Sequence, residues 1–254
     1  MKVKSQHTAL LFKIFAVLLA ILTWDIAALA LGDELFLVSP LKVLLRLVTI
    51  WGEEGILLSV LMSLLRIVGG FFLALLAGAL LAVLAGHLPL VETLLFPYMA
   101  VVKAVPVVSF IVLAYAWMPS RHIPMLISFL IVLPTVYTSL LAGIKARDEK
   151  MEEMASLFGI SPARRFLFIR LPHLAPHILS AVSLGAGLAW KSGVAAEVMT
   201  VPDASIGEWM YYAGLWMQNA DLFALTVILV LLSVLFEKGV VALLKFSFGR
   251  LWQI

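Results

Sequence analysis

Lys103, Lys191 and Glu197 are ionisable groups embedded in long apolar stretches, with Trp190 directly beside Lys191. A lysine at the centre of a bilayer costs about 2.5 to 3.5 kcal/mol on insertion scales, so each needs an ionic partner, an escape to the head groups or an aqueous cavity. Lys191 follows Pro172 by nineteen residues, about 28 Å on a continuous helix, which places it toward the far end of its stretch. Lining a pathway, it would favour an anion such as a sulfonate or carboxylate. Against a neighbouring carboxylate or a head group it would be structural. Lys103 lies near the start of its stretch, where snorkelling is the simpler reading. His173 and His177 share a helix face at i, i+4, a spacing able to hold a metal, but no third ligand and no activating Glu accompany them. No Ser/His/Asp set or carboxylate pair suggests a catalytic centre. With no cysteine and no G-x4-G-K-[ST] phosphate loop, thiol chemistry and ATP hydrolysis by this chain are excluded.

The elements that must position these groups are membrane helices. Of 254 residues, 63% are hydrophobic and 13% charged, and the mean hydropathy is +1.11. A soluble globular domain carries about a quarter charged residues, so that class is excluded. The net charge of +3 is no nucleic-acid surface. A helix crosses the hydrocarbon with about 20 apolar residues. Six stretches qualify or nearly so: Thr8 to Leu31, Ile67 to Gly86, Val101 to Met118, Ile123 to Gly143, Leu174 to Val198 and Leu222 to Val240. No soluble domain fits between them. The expected fold is therefore all-α and polytopic, one membrane domain over residues 1–254 with its core at about 59–245.

An N-terminus-inside arrangement of six spans puts Lys2, Lys4, Lys13, Lys145, Arg147, Lys150, Arg164, Arg165, Arg170, Lys238, Lys245 and Arg250 on the cytoplasmic side. Only Lys42, Arg46 and Arg121 fall clearly outside, which agrees with the positive-inside rule and puts both termini in the cytoplasm. Asp33, Glu34, Glu53, Glu54, Asp203, Glu208 and Asp221 fall in the outer segments. A secretory signal is the other reading of the N-terminus, with Ala28-Leu29-Ala30 as cleavage site, but the run is long for a signal and contains Asp25. Residues Pro40 to Trp51 read as a surface helix, with Leu41, Leu44, Leu45 and Leu47/Val48 on one side and Lys42 and Arg46 on the other. In the second stretch Gly70, Ala74, Gly78, Ala82 and Gly86 recur every four residues, a seam for close packing. Pro97, Pro106, Pro124 and Pro134 each remove a backbone donor, so the third and fourth stretches are expected short, kinked or broken. Trp209, Tyr211, Tyr212, Trp216 and Met217 read as an interfacial aromatic belt or a docking patch rimmed by Asp203 and Glu208.

The long cytoplasmic loop, about 145–172, contains RDEKMEEMASLFGISPARRFLFIRLP from Arg147 to Pro172. Met151, Met154, Ala155 and Phe158 form a helical stripe, and Asp148, Glu149, Glu152 and Glu153 cover the remainder. Gly159 suits the left-handed position after a helix, and Ser161-Pro162 supplies the cap and first-turn proline of a second one. That second helix should run from Pro162 to Arg170 and end at Leu171-Pro172. Such a hairpin either fits a groove in a partner or lies flat on the bilayer or the spans.

Glu153, Ala155, Gly159 and the run Ile169-Arg170-Leu171-Pro172 resemble the EAA loop of ABC importer permeases, with Met154 where that pattern has alanine. Ser63-Leu64-Leu65-Arg66 with Gly70-Phe71, Gly187-Leu188-Ala189-Trp190, and Val194-Ala195-Ala196-Glu197 are similar to the nitrate/sulfonate/taurine branch. Ser205-Ile206-Gly207 resembles its Gly-Leu-Gly. The resemblance implies a type I importer permease in the bacterial inner membrane that works as a homodimer. It implies a cytoplasmic ATPase that binds ATP-Mg, an extracytoplasmic solute-binding protein, and no cofactor on this chain. Glu153, Ala155, Gly159, Ile169, Leu171 and Pro172 would couple to the ATPase, and Lys191, Glu197, Trp190 and Lys103 would belong to the pathway of a small anionic solute. A secondary transporter is the alternative, but no internal repeat of two halves is evident. An intramembrane enzyme would need reactive groups that the spans lack.

Overall fold

The computed structural model describes residues 2–33 and 36–252, without the side chains of residues 2–10, 149 and 250–252. Glu34, the side chains of Lys2, Lys4 and Arg250 from the charge count, and that of Glu149 lie outside the described residues. The chain is 87% helical. Its helices are α1 (Lys2–Leu31), α2 (Pro40–Thr49), α3 (Ile56–His87), α4 (Pro89–Ala104), α5 (Val107–Tyr115), α6 (Ile123–Lys145), α7 (Glu149–Leu157), α8 (Pro162–Arg165), α9 (Leu171–Thr200), α10 (Ile206–Leu215) and α11 (Asn219–Trp252). Five described helices are long and apolar enough to cross a bilayer, and α4 with α5 makes a sixth if the bent pair counts as one span. In α1 and α11 almost no residue of the most apolar segment is buried, as suits helices that face lipid.

The four prolines act differently according to position. The third stretch, expected as one span from Val101 to Met118, is two helices meeting at 97°. Pro106 has no N–H to continue the helix, and it pushes Val105 into an extended conformation (φ −75°, ψ 131°). Pro124 sits in the first turn of α6, where no donor is needed. Pro97 and Pro134 lie inside continuous helices.

Two compact units are distinguished, one of Met1–Leu57 with Trp209–Ile228 and one of Leu58–Glu208 with Leu229–Ile254. In the smaller unit the Trp24 indole donates to the Val38 carbonyl at 3.1 Å and its ring packs on Phe223. Arg46 donates to both carboxylate oxygens of Asp221 and to Glu53 at 3.0 Å. This draws Arg46 inward while Lys42 stays exposed, and it leaves Leu41, Leu44, Leu45 and Val48 exposed, the arrangement of a helix lying on lipid.

The larger unit is built on close approach. Cβ atoms added at Gly70, Gly78 and Gly86 would lie 2.3 Å from the Met125 carbonyl oxygen, 2.8 Å from Val136 and 2.6 Å from Ile144, so the small seam of α3 carries α6. On α9, Gly193 meets Ser128 and Ile67, and the Ser128 hydroxyl donates to the Ala189 carbonyl at 3.1 Å. The Ser183 hydroxyl donates to the Glu237 carboxylate, and Phe71 meets Phe236 edge-on at 5.2 Å, which ties α11 to the same bundle.

Gly70→Val should push α3 off α6 and cost roughly 1 to 3 kcal/mol, the range for an overpacked core. A lowered melting temperature in detergent would show it. Gly239→Ala, with open space around the added carbon, should leave the melting temperature unchanged or higher.

Candidate functional site

The hairpin between α6 and α9 is assembled from local hydrogen bonds. Asp148 caps α7 by accepting from the N–H groups of Lys150 and Met151. At the other end Gly159 takes φ +63°, its N–H donates to the Ser156 carbonyl, and that of Ile160 donates to Ala155, both at 3.0 Å. This is the Schellman pattern, and the left-handed residue within it favours glycine. Ser161 and Pro162 then open α8, although the Ser161 hydroxyl makes no capping bond. The Arg165 guanidinium closes the turn on the Ile160 carbonyl at 2.7 Å.

The second arm does not end at Leu171-Pro172 as the sequence pattern suggests. A π-helical turn over Phe166–Arg170 carries α8 into α9, with the Leu171 N–H donating to the Phe166 carbonyl five residues back. A proline in a regular α-helix collides with the carbonyl four residues earlier, and a widened turn relieves that contact. The arm and the span are therefore one rod from Pro162 to Thr200. Arg170 grips Glu152 through both carboxylate oxygens, at 2.5 and 3.0 Å, and locks the two arms together.

Of the expected stripe only Ala155 is buried, whereas Met151, Met154 and Phe158 are exposed. Leu157 is 87% exposed and Phe158 79%, so the apex of the hairpin presents large apolar side chains. Glu153 and Gly159 are also exposed, and Ile169, Leu171 and Pro172 are half-buried along the rod.

A second cluster forms where α9 ends. Glu197 is fully buried, and its Oε2 accepts from the Ser63 hydroxyl at 2.7 Å and the Gly207 N–H at 3.2 Å. The Ser63 oxygen in turn accepts from the Ile206 N–H at 2.8 Å. The other oxygen, Oε1, accepts no hydrogen bond among the described residues and faces the Arg66 guanidinium at 3.9 Å. Arg66 donates to the carbonyls of Asp203 and Ala204. A Cβ on Gly207 would lie 2.2 Å from that of Glu197, so the contact requires glycine. Val201 and Ala204 are held in the left-handed region without being glycines, and such strain persists where surrounding contacts over-determine it.

Trp190 is buried and its indole N–H has no hydrogen-bond partner among the described residues. Lys191, its neighbour, is exposed and forms no ion pair among them; Glu197 is engaged elsewhere. Lys103 is exposed with its ammonium 3.3 Å from the Thr138 hydroxyl. The rings of His173 and His177 are 6.5 Å apart. No group of three metal-binding side chains occurs among the described residues.

Ser63, Arg66 and Gly207 stand out in the sequence only as fragments of a resemblance, and nothing in the spacing joins them to Glu197. The grip of Arg170 on Glu152 is likewise invisible there. It holds the Glu152 carboxyl below the usual carboxylate range, and the nearby charges of Arg165 and Arg147 act in the same direction. The folded value is depressed, so the contribution is present at neutral pH and is lost as pH falls through that value. Spin labels on the two arms should report a fixed separation at pH 7 that broadens on acidification below the ordinary carboxylate range. Glu152→Gln should broaden it at every pH.

Residues 70–247 match the family of the binding-protein-dependent transport system inner membrane component. The chain is 30% identical over 245 residues to the taurine transport system permease protein TauC of Escherichia coli, which covers 94% of this chain and 88% of that protein. It is 24% identical over 198 residues to the bicarbonate transport system permease protein CmpB of Synechocystis sp., covering 76% and 69% of the two chains. To the nitrate import permease protein NrtB of Leptolyngbya laminosa it is 24% identical over 149 residues, covering 58% and 53%. The matched region holds the hairpin, α9 and most of the span bundle, and the secondary-transporter alternative falls away. The chain belongs to the binding-protein-dependent transport system inner membrane components: it is a multi-pass permease subunit of an ABC importer and not itself an enzyme.

Proposed function

We propose that the chain forms, as a homodimer, the pathway for a small anionic solute, and that the hairpin seats in a cleft of a cytoplasmic ATPase that binds ATP-Mg. The observation that carries this reading is the exposed apex of Leu157 and Phe158 on a turn continuous with a membrane span. An apolar knob of this kind fits a partner groove. Glu153 and Gly159 would meet the ATPase, Ala155 would pack the first arm, and Ile169, Leu171 and Pro172 would pass the movement into α9. A rod pushed at one end moves at the other, so Trp190, Lys191 and Glu197 would shift with it. Residues 1–254 then act as one permease domain, with the hairpin (about 145–172) set outside a core at about 59–245.

The basic residues of the hairpin share a side with the N-terminal lysines only if α4 and α5 together cross the bilayer. Six crossings put both termini in the cytoplasm, and the turn after α9 then faces the extracytoplasmic solute-binding protein. Taurine, bicarbonate and nitrate, named for the relatives, each carry an anionic group, and the exposed cation of Lys191 suits such a solute. Trp190 and Glu197, both enclosed, would hold Lys191 in place from behind, and Lys103 would serve nearer the cytoplasmic end.

Co-purification of the full chain with its candidate ATPase, followed by an assay of ATP hydrolysis, tests the coupling. The native chain should retain an active complex, and Gly159→Trp should lose or uncouple it while still inserting into the membrane. Normal uptake by that variant would sink the assignment. Lys191→Ala should weaken apparent affinity for the anionic solute by about 10- to 100-fold, the loss of one charge-assisted contact, with Lys191→Arg retaining most of it. Unchanged uptake kinetics in Lys191→Ala would remove Lys191 from the pathway.

A further inference from the structure

Along most of its length α9 is packed into the bundle, but it leaves one narrow stripe open. Between positions 184 and 199 the exposed residues are Leu184, Gly187, Lys191, Ala195 and Met199, three or four apart and therefore on one face. The open face of α3 is of a different kind: Leu61, Leu65, Phe72, Leu76 and Leu80 are all large and apolar, as suits contact with lipid. At its centre the stripe of α9 has a lysine between a glycine and an alanine, a poor surface for acyl chains.

The lysine is also deep. Gly193 packs on Ile67 and Gly185 on Phe71, so Lys191, between them, is level with a part of α3 at least about 16 Å from either end of that span. A cation at that depth needs a carboxylate or a water-filled cavity. The carboxylates inside α9 and α11 are engaged elsewhere, Glu197 by Ser63 and Gly207 and Glu237 by Ser183. Lys191 forms no ion pair among the described residues. Its positive charge is therefore unmatched within the chain.

The bundle accounts for two of the three glycines in this part of α9. An added Cβ would lie 3.1 Å from Val132 at Gly185 and 2.5 Å from the Ser128 hydroxyl at Gly193, whereas at Gly187 it meets nothing within 4 Å. The backbone at Gly187 is regular helix, where glycine is less stable than alanine. Helical side chains lean toward the N-terminus, over the residues three and four before them, so the stem of Lys191 lies over the turn that Gly187 leaves bare. We propose that Gly187 and Lys191 form an anion subsite, Lys191 holding the charged group of the solute and Gly187 admitting its body beside the helix. This rests on the reading that Lys191 lines the pathway, and it adds the position that decides which anions reach the ammonium: a large side chain at 187 would fill the space beside it.

The chain has no cysteine, so single cysteines can probe the stripe. Gly187→Cys, Ala195→Cys and, on the lipid face of α3, Leu76→Cys are each built into the assembled importer in nanodiscs. They are treated, with and without ATP, with methanethiosulfonate reagents carrying either a sulfonate or a quaternary ammonium group, and the mass of the permease chain is read. Both α9 cysteines should react in at least one state, and Leu76→Cys should not. Relative to a free thiol in solution, the sulfonate reagent should be favoured several-fold, and Lys191→Gln should abolish that preference. Gly187→Leu should abolish it at Ala195→Cys. Position 187 has open space around it, so these variants should fold, and an unchanged elution profile would verify it. A preference that Lys191→Gln removes but Gly187→Leu leaves intact would overturn the role of Gly187 and keep Lys191 in the pathway. Reaction without an anionic preference, or no reaction at either cysteine, would overturn the subsite together with the pathway reading of Lys191. Disulfide formation between two copies at Ala195→Cys in place of labelling would also overturn it, because the stripe would then be covered by a second copy.

Discussion

A backbone in hydrocarbon has no water to bond with, so each place where the chain leaves a regular helix must find its hydrogen-bond partners within the protein. The informative geometry of this permease lies at those places. At Pro106 the helix gives up and the chain turns through 97°. Before Pro172 the chain keeps its helix by widening one turn, and so the hairpin stays joined to the span. At Thr200 the helix stops, and the first N–H groups of α10 are met by the hydroxyls of Ser63 and Ser205 and the carboxylate of Glu197. Only at the third place do side chains supply the partners; before Pro172 the backbone supplies its own.

The rod from Pro162 to Thr200 is the consequence with most bearing on function. One end carries an exposed apolar turn, and the other is held in a buried polar cluster, about 50 Å apart from Pro162 to Glu197 at the α-helical rise. Along it, Gly185 and Gly193 let the neighbouring helices approach, and Ser128 bonds across to Ala189. A rod clamped so closely moves as a body, because packed interiors transmit displacement with little give. The buried carboxylate at its end is costly unless it is well partnered, and one of its oxygens has only the distant Arg66. Removing Ser63 or Arg66 would therefore expose a larger penalty than either contact contributes alone.

Much of this was legible from residue types. Hydropathy located the spans except the third, which is a bent pair, and Gly159 followed by Ser161-Pro162 marked the turn, since few residues tolerate a left-handed conformation and proline prefers a first helical turn. The glycine seam of α3 was also legible, although its partner α6 was not. What stayed hidden depends on pairing across the chain. Ser63 and Glu197 are 134 positions apart, and no local pattern records that they touch. Pro172 reads as a terminator because proline usually is one, and only the neighbouring π turn reverses that reading. The orientation of α2 was half visible: its amphipathic pattern is plain, but the anchoring of Arg46 depends on Asp221, in a segment far along the sequence.

In the proposed coupling, the exposed apex of the hairpin is the surface on which the ATPase acts. The chain has no cysteine, so Leu157→Cys supplies a single attachment point for a short cross-linker in the assembled importer. This position should cross-link efficiently to the ATPase, with a yield that changes when ATP binds, and Leu41→Cys on α2 should give no such cross-link. An intact complex in which Leu157→Cys reaches only lipid or its own chain would contradict it.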